Sequence, residues 1–364
     1  MRTHRDEEFM KQCLLLARKG GGYVSPNPMV GAVIVQRGKI LGTGYHKKFG
    51  GPHAEVYAIR AAQGNVRGAT LYVNLEPCNF FGKTPPCTDL VITSGIARVV
   101  VGMKDPNPRV AGKGIRKLRK AGIEVVAGVL EDECRVLNES FTKYIQTGLP
   151  FVTMKIAQTQ DGKIADESGH SKWITGVPAR KIVHSLRSRV DAVLVGAHTV
   201  RMDDPRLTVR SVRGRSPARV VLDGRCTLTP DAKIFTPGDA KRIIAVSKTY
   251  SRKKPGFKKT FSRRGVEVLE LDSTAHGKIS PRELLQKLGE MGIASLLVEG
   301  GAEIYRAFLD GDAVDKLILF VAPRVMGKGL DALPRRDRYD RLLLQRTVIK
   351  KAGVDLMISG YLLK

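Results

Sequence analysis

Cysteine is scarce in this 364-residue chain: Cys13, Cys78, Cys87, Cys134 and Cys226, an odd number well short of a disulfide framework. A small stapled secreted scaffold is thereby excluded. Tryptophan occurs once, at Trp173. No apolar run approaches the ~18 residues that a membrane-spanning helix requires, so no membrane partner is expected. Asp6, Glu7 and Glu8 precede only a short Leu14-Leu15-Leu16-Ala17 run, so no signal peptide is expected and the expected location is cytoplasmic. Acidic residues are few: 35 against 62 Lys and Arg, a formal net charge of +27. That field favours anionic partners, meaning nucleic acid, membrane surfaces or phosphorylated metabolites. The length allows two domains with separate cores.

Two of the five cysteines stand in a chemical context. His53-Ala54-Glu55 is followed by Glu76-Pro77-Cys78 and by Pro85-Pro86-Cys87, with eight residues between the two cysteines. One imidazole and two thiols can hold Zn²⁺ and leave a fourth position for water, which the metal acidifies. Glu55 is too close in sequence to His53 to be a fourth ligand and suits a proton shuttle. H-x-E followed by P-C and a second Cys is the pattern of zinc nucleobase deaminases, although that pattern closes with C-x-x-C. Cys13 and Cys134 recur with apolar neighbours at helical spacing and read as core thiols.

Periodicity predicts an alternating α/β chain. A helix is expected over 6–19, a hairpin over 32–44, and helices over 53–62, 86–94, 114–121 and 131–145. Strands are expected over 69–75, 98–102 and 124–127. Gly148-Leu149-Pro150 reads as a domain boundary, giving domains 1–148 and 149–364. The second half predicts strands over 151–157, 191–195 and 295–298, with helices over 178–188 and 281–290. Val298-Glu299-Gly300-Gly301 leads into a further helix, a strand-glycine-helix arrangement whose free N–H groups suit an anion. It is not G-x-G-x-x-G and so does not argue for a Rossmann fold. Arg180, Arg187, Arg206 and Arg210 suit a phosphorylated substrate or NADPH. The tracts 252–259 and 335–338 read as solvated basic loops.

Several longer motifs resemble one family. Pro26-Asn27-Pro28-Met29-Val30-Gly31, Gly51-Pro52-His53-Ala54-Glu55 and the Glu76-Pro77-Cys78 to Cys87 stretch resemble the deaminase half of the bifunctional riboflavin biosynthesis protein family. The resemblance implies a cytidine-deaminase-like three-layer domain with zinc ligands His53, Cys78 and Cys87 and with Glu55 as catalytic proton shuttle. It further implies substrate contacts at Asn27, His46 and Lys83. Phe80 departs from the family, which usually has His there.

Asp161-Gly162-Lys163-Ile164-Ala165, Ser171-Lys172-Trp173-Ile174-Thr175-Gly176, the stretch Val195 to Arg210 and Val298-Glu299-Gly300-Gly301 resemble the family's reductase half. That resemblance implies a dihydrofolate-reductase-like domain binding NADPH through Ala157, Trp173, Thr199, Asp203 and Gly301. Substrate positions implied are Lys155, Ser171, Arg187, Leu207, Arg210 and Glu299. Thr159-Gln160 departs from the family's usual Ser-Leu. The implied function is deamination of a diaminopyrimidine ribosyl phosphate followed by NADPH-dependent reduction of its ribosyl chain. A dimer through the reductase half is also implied. A nucleic-acid deaminase is the rival reading, opposed by the eight-residue spacing and the reductase half, so no nucleic-acid partner is expected. A basic scaffold with a structural zinc needs a fourth protein ligand, which the motif does not supply.

Overall fold

The computed structural model describes residues 3–81, 85–108, 110–171, 173–333 and 342–363. The chain forms two compact units, Met1–Gly148 and Leu149–Lys364. Lys83, Lys172 and the 335–338 tract lie outside the described residues.

The first unit opens with α1 (His4–Ala17), the hairpin β1 (Gly31–Gln36) and β2 (Lys39–Tyr45), α2 (Ala54–Ala61) and β3 (Thr70–Leu75). It continues with α3 (Cys87–Thr93), β4 (Arg98–Met103), α4 (Lys113–Lys120), β5 (Glu124–Ala127), α5 (Glu131–Leu137) and α6 (Glu139–Thr147). The sheet order is β2-β1-β3-β4-β5, with β3, β4 and β5 parallel and β1 antiparallel to both of its neighbours. Alternate residues of one strand face different layers. Ala32, Ile34, Leu71, Val73, Val99 and Val101 pack with Ala58 of α2, Val91 of α3 and Leu118 of α4. Val33, Val35, Tyr72 and Val100 pack instead with Met10 of α1 and Cys134 of α5. Both faces are therefore buried, the three-layer arrangement expected of a largely parallel sheet.

The single helix expected over 131–145 is two. Asn138 separates α5 from α6, and its amide bonds Met29: Met29 N–H donates to Oδ1 at 2.8 Å, and Nδ2 donates to the Met29 carbonyl at 3.1 Å. A backbone partner 109 residues away breaks a helix that periodicity alone would continue.

The second unit runs β6 (Phe151–Thr159), β7 (Lys163–Ala165), α7 (Val177–Arg187), β8 (Ala192–Gly196), α8 (Ala197–Asp203) and β9 (Ala218–Leu222). Next come β10 (Arg242–Ser247), α9 (Lys248–Arg252), α10 (Phe257–Arg263), β11 (Glu267–Leu271), α11 (Pro281–Glu290) and β12 (Ser295–Val298). It ends with α12 (Ala302–Asp310), β13 (Lys316–Ala322), β14 (Leu330–Asp331), β15 (Leu344–Ala352) and β16 (Asp355–Leu362). The basic tract 252–259 thus lies in and between two short helices, α9 and α10, rather than in one loop.

Nine strands form one sheet in the order β11-β10-β9-β8-β12-β6-β13-β16-β15. The first seven are mutually parallel, and β16 and β15 close the sheet antiparallel. Its central strands read as near-continuous apolar runs because both faces are covered. Leu194, Val220 and Leu296 pack on Leu284 and Leu288 of α11 and Phe308 of α12, while Val193, Val221 and Leu297 face Phe235 and Phe261.

Candidate active sites

The first site forms where three loops leave the sheet of the first unit. His53 is the N-cap of α2, Glu55 lies in that helix's first turn, and Cys87 opens α3. Cys78 stands in the turn between β3 and α3, where it accepts a hydrogen bond from the Cys87 backbone N–H at 3.3 Å. His53 Nδ1 lies 3.2 Å from Cys87 Sγ and 3.5 Å from Cys78 Sγ. All three donor atoms fall within 4.8 Å of one another. The Cys87 thiol and then His53 hold the Cys78 thiol well below its usual pKa. A thiolate beside an imidazole is the donor set Zn²⁺ takes. Glu55 is 3% exposed, and its Oε2 is buried with no hydrogen-bond partner. An unpaired buried carboxylate oxygen is costly unless chemistry uses it. Burial, helped by the charge of Cys78 and opposed by His53, raises the Glu55 pKa.

His53, Glu55 and Cys78 open on a cavity of about 270 Å³, lined also by Asn27, His46, Glu76, Phe80, Asp105 and Phe141. His46 is buried, with Nδ1 3.0 Å from the Pro52 carbonyl and Nε2 3.3 Å from Asn27 Nδ2. These partners assign the neutral tautomer: Nδ1–H donates to Pro52 and Nε2 accepts from Asn27. Burial lowers the His46 pKa and keeps that tautomer. The Asn27 loop is fixed by Asn138 and by Asn74, whose Oδ1 accepts from Gly31 N–H at 2.8 Å and whose Nδ2 donates to the Met29 carbonyl at 3.0 Å.

Sequence reasoning missed Asn74, Asn138, Glu76 and Asp105. Glu76 accepts the backbone N–H groups of Asp105, Gly112 and Ile115 at 2.8–3.1 Å, tying the 105–115 loop to the cavity wall. Burial pushes Asp105 up to about 6. One signal was available for Asn74: an amide within Thr70-Leu71-Tyr72-Val73-Asn74-Leu75, an otherwise core-forming strand.

The second site gathers at the ends of β6, β8 and β12. Arg187, the last residue of α7, meets Glu299 through Nε to Oε1 at 2.5 Å and Nη2 to Oε2 at 2.8 Å. Burial opposes the Glu299 charge, but Arg187 holds its pKa below the ordinary carboxylate value. Lys155 on β6 stands near this pair, its pKa lowered by burial while Glu299 pulls the other way. Arg187 thus already bonds Glu299 through Nε and Nη2.

Ser171 donates to Asp203 at 2.7 Å. Thr199 faces the glycine pair closely: a Cβ added to Gly301 would meet its Oγ1 at 3.2 Å, and one added to Gly300 at 3.7 Å. Glycine at 301 therefore keeps a close approach open beside the N-terminus of α12. Trp173 is 64% exposed, with the Arg180 guanidinium 4.3 Å from its ring centroid. Ala157 sits on β6 opposite Phe320. Leu207 is buried in the core, and Arg210 is exposed.

Comparison with known proteins finds a family match in each half of the chain. Residues 3–103 match the cytidine and deoxycytidylate deaminase zinc-binding region, and residues 150–358 match the RibD C-terminal domain. Riboflavin biosynthesis protein RibD of Aquifex aeolicus is 46% identical over 97% of both chains. The chain belongs to the RibD family. The Escherichia coli member is 40% identical over 97% of this chain and 98% of its own. A solved diaminohydroxyphosphoribosylaminopyrimidine deaminase/5-amino-6-(5-phosphoribosylamino)uracil reductase from Thermotoga maritima superposes with a TM-score of 0.86, at 41% identity and 99% coverage of both chains. RibD from Acinetobacter baumannii superposes at 0.85 with 36% identity, again covering 99% of both.

As a RibD-family member, the chain is a bifunctional enzyme of riboflavin biosynthesis, with a deamination and a reduction step. Its fold is α/β, a cytidine-deaminase-like domain followed by a RibD reductase domain. Zinc and NADPH are its cofactors, and the His53, Cys78 and Cys87 donors fit the metal. Among the described residues no helix is long and apolar enough to cross a membrane.

Proposed function

We propose that unit Met1–Gly148 deaminates 2,5-diamino-6-ribosylamino-pyrimidinone 5'-phosphate and unit Leu149–Lys364 reduces the product's ribosyl chain to ribityl with NADPH. The observation that carries the first step is the unpartnered Glu55 Oε2 beside the His53, Cys78 and Cys87 cluster, with Glu55, His53 and Cys78 on one cavity. In this reading His53, Cys78 and Cys87 would hold zinc, which when bound would acidify the attacking water. Glu55 takes a proton at Oε2 and returns it to the departing ammonia. Asn27, pinned by His46, orients the pyrimidine. Lys83 belongs to the same reading as a substrate contact.

In the second unit NADPH supplies the reducing equivalents, and the protein supplies orientation and charge. Ala157, Trp173, Thr199, Asp203 and Gly301 form the cofactor side. Lys155, Ser171, Arg187, Leu207, Arg210 and Glu299 form the substrate side. Arg187, paired with Glu299, and the exposed Arg210 take the phosphate on that side.

A dimer through the reductase unit belongs to the same proposal. It is supported by the edge strand β15, exposed along most of its length, with Ile349 63% and the adjoining Val354 76% exposed. Exposed Val348 and Ile349 stand on this edge among Arg346, Lys350 and Lys351, and an unpaired strand edge offers its backbone groups to a second chain. Cytoplasmic residence accords with five cysteines that are all free thiols.

The test follows ammonia release and NADPH oxidation in one cuvette, with purified enzyme and the diaminopyrimidine ribosyl phosphate. Matched yields are the expected result. Ammonia without NADPH loss would reject the reductase reading and point to Thr159-Gln160. No ammonia from zinc-loaded enzyme would reject the deaminase reading and point to Phe80.

A further inference from the structure

Helix α7 grips the segment Leu207–Arg210 at two points one turn apart. Arg187 Nη1 reaches the Thr208 carbonyl at 3.5 Å, and His184 Nδ1 accepts the Arg210 backbone N–H at 3.2 Å. Residues three apart on a helix share a face, so both contacts come from the same side of α7. The segment needs such anchors because Leu207 has φ +50°, a left-handed conformation uncommon for a non-glycine residue. Its side chain is buried among Val193, Val195 and Val221, and Val209 N–H donates to Ser216 Oγ at 3.0 Å. Arg210's side chain is exposed. Its guanidinium bonds Thr208 Oγ1 at 3.4 Å, a hydroxyl of the same segment. That contact orients Arg210 within the segment, while the direction of the segment itself is set by its backbone anchors.

We infer that His184 is a positioning residue of the reductase: accepting the Arg210 N–H, it holds the segment so that Arg210 meets the substrate phosphate. The inference rests on the reading of Arg210 as the phosphate ligand. His184 is 7% exposed, so its Nδ1 bond is shielded from competing water. A donor aimed at Nδ1 requires that nitrogen to be unprotonated. Burial lowers the His184 pKa, Arg187 and Arg210 lower it further, and Glu299 pulls the other way. At neutral pH the ring is therefore the neutral acceptor that the bond needs.

The test uses the full chain, NADPH and the deaminated ribosyl substrate, with and without its 5'-phosphate. His184→Ala is expected to raise KM for the phosphorylated substrate about tenfold, roughly the worth of one hydrogen bond. Its kcat, its KM for NADPH and its KM for the phosphate-free substrate stay near the parent's. His184→Asn places an amide oxygen near the Nδ1 position and restores KM; His184→Gln, whose amide reaches further, does not. Should His184→Ala fail to fold, the contrast between Asn and Gln carries the same decision. Arg210→Ala alone and with His184→Ala separates the two claims. If Arg210→Ala raises KM and the double variant is no worse, the two act as one unit. If Arg210→Ala raises KM but the His184 variants do not, His184 has no positioning role and the phosphate reading stands. If Arg210→Ala leaves KM unchanged, the phosphate reading fails and takes the inference with it.

Discussion

Arg187 and Glu299, 112 residues apart, form a two-pronged ion pair whose side chains are 12% and 4% exposed. Two opposite charges withdrawn from water are tolerable together and costly apart. Glu299→Gln leaves a buried guanidinium without its counter-charge and is expected to cost roughly 3 kcal/mol of stability. Reductase activity should fall with it. Arg187→Lys should not rescue, because an ammonium cannot make both bonds to the carboxylate. Denaturant melts with NADPH oxidation check this. Unchanged midpoint and activity in Glu299→Gln would refute the coupling.

Glu55 and Cys78 should separate proton transfer from metal retention. Glu55→Gln keeps the metal ligands, so zinc content measured by atomic absorption should equal the parent's while ammonia release drops roughly a thousandfold. Cys78→Ser should lose both. In each variant, NADPH oxidation with already deaminated substrate should stay within about twofold of the parent, since it belongs to the other unit. Full zinc content in Cys78→Ser would remove Cys78 from the ligand set.

The local parts of this molecule were legible in its sequence. His53 and Glu55 announce themselves because one helix start brings them together, and the β1–β2 hairpin follows from Arg37-Gly38, both at positive φ. What escaped was long-range. Asn138 reads as one more polar position on a continuous helix until Met29 claims its amide. Arg187 and Glu299 stand 112 residues apart in the chain, and only the fold shows that they pair. Glu76 lies inside the deaminase motif, yet its bonds to Gly112 and Ile115 depend on where α4 begins. Periodicity reports which face is buried. It does not report which polar group waits there.

Asp6 supplies a pH signature. It is 1% exposed and accepts bonds from Arg98 Nη1 at 2.9 Å, Nη2 at 3.1 Å and Tyr72 at 3.0 Å. Burial opposes its charge, but Arg98, the Thr3 N–H and Tyr72 hold its pKa at about 2 against an ordinary 3.8. A carboxylate with a depressed folded-state pKa stabilises above its unfolded value and loses that contribution as pH falls through the folded one. The window is therefore between about pH 4 and pH 2. Allowing for solvent screening at Arg98, whose side chain is 19% exposed, the contribution is about 1–2 kcal/mol. Asp6→Asn should lower stability at pH 7 and flatten the acid limb below pH 4, read by urea melts across pH. An acid limb as steep as the parent's would assign the loss to other carboxylates.

Gly114, in the first turn of α4, tests how far the zinc cradle depends on packing behind it. A Cβ built there would lie 2.2 Å from the Pro77 carbonyl oxygen and 3.3 Å from Glu76 Cγ. The obstacle is backbone, so the Glu76-Pro77 turn must move, and Cys78 is its next residue. Alanine is the better helix former, yet overpacking of this kind costs about 1–3 kcal/mol. Gly114→Ala should therefore weaken zinc retention under chelator challenge and cut ammonia release by about tenfold or more. Reduction of already deaminated substrate should be unaffected. Lys113→Ala, on the exposed face of the same turn, serves as the control and should change neither reading. Equal zinc retention in Gly114→Ala and the parent would mean that α4 yields rather than the turn, and that the Cys78 ligand is held by its own bond to the Cys87 N–H.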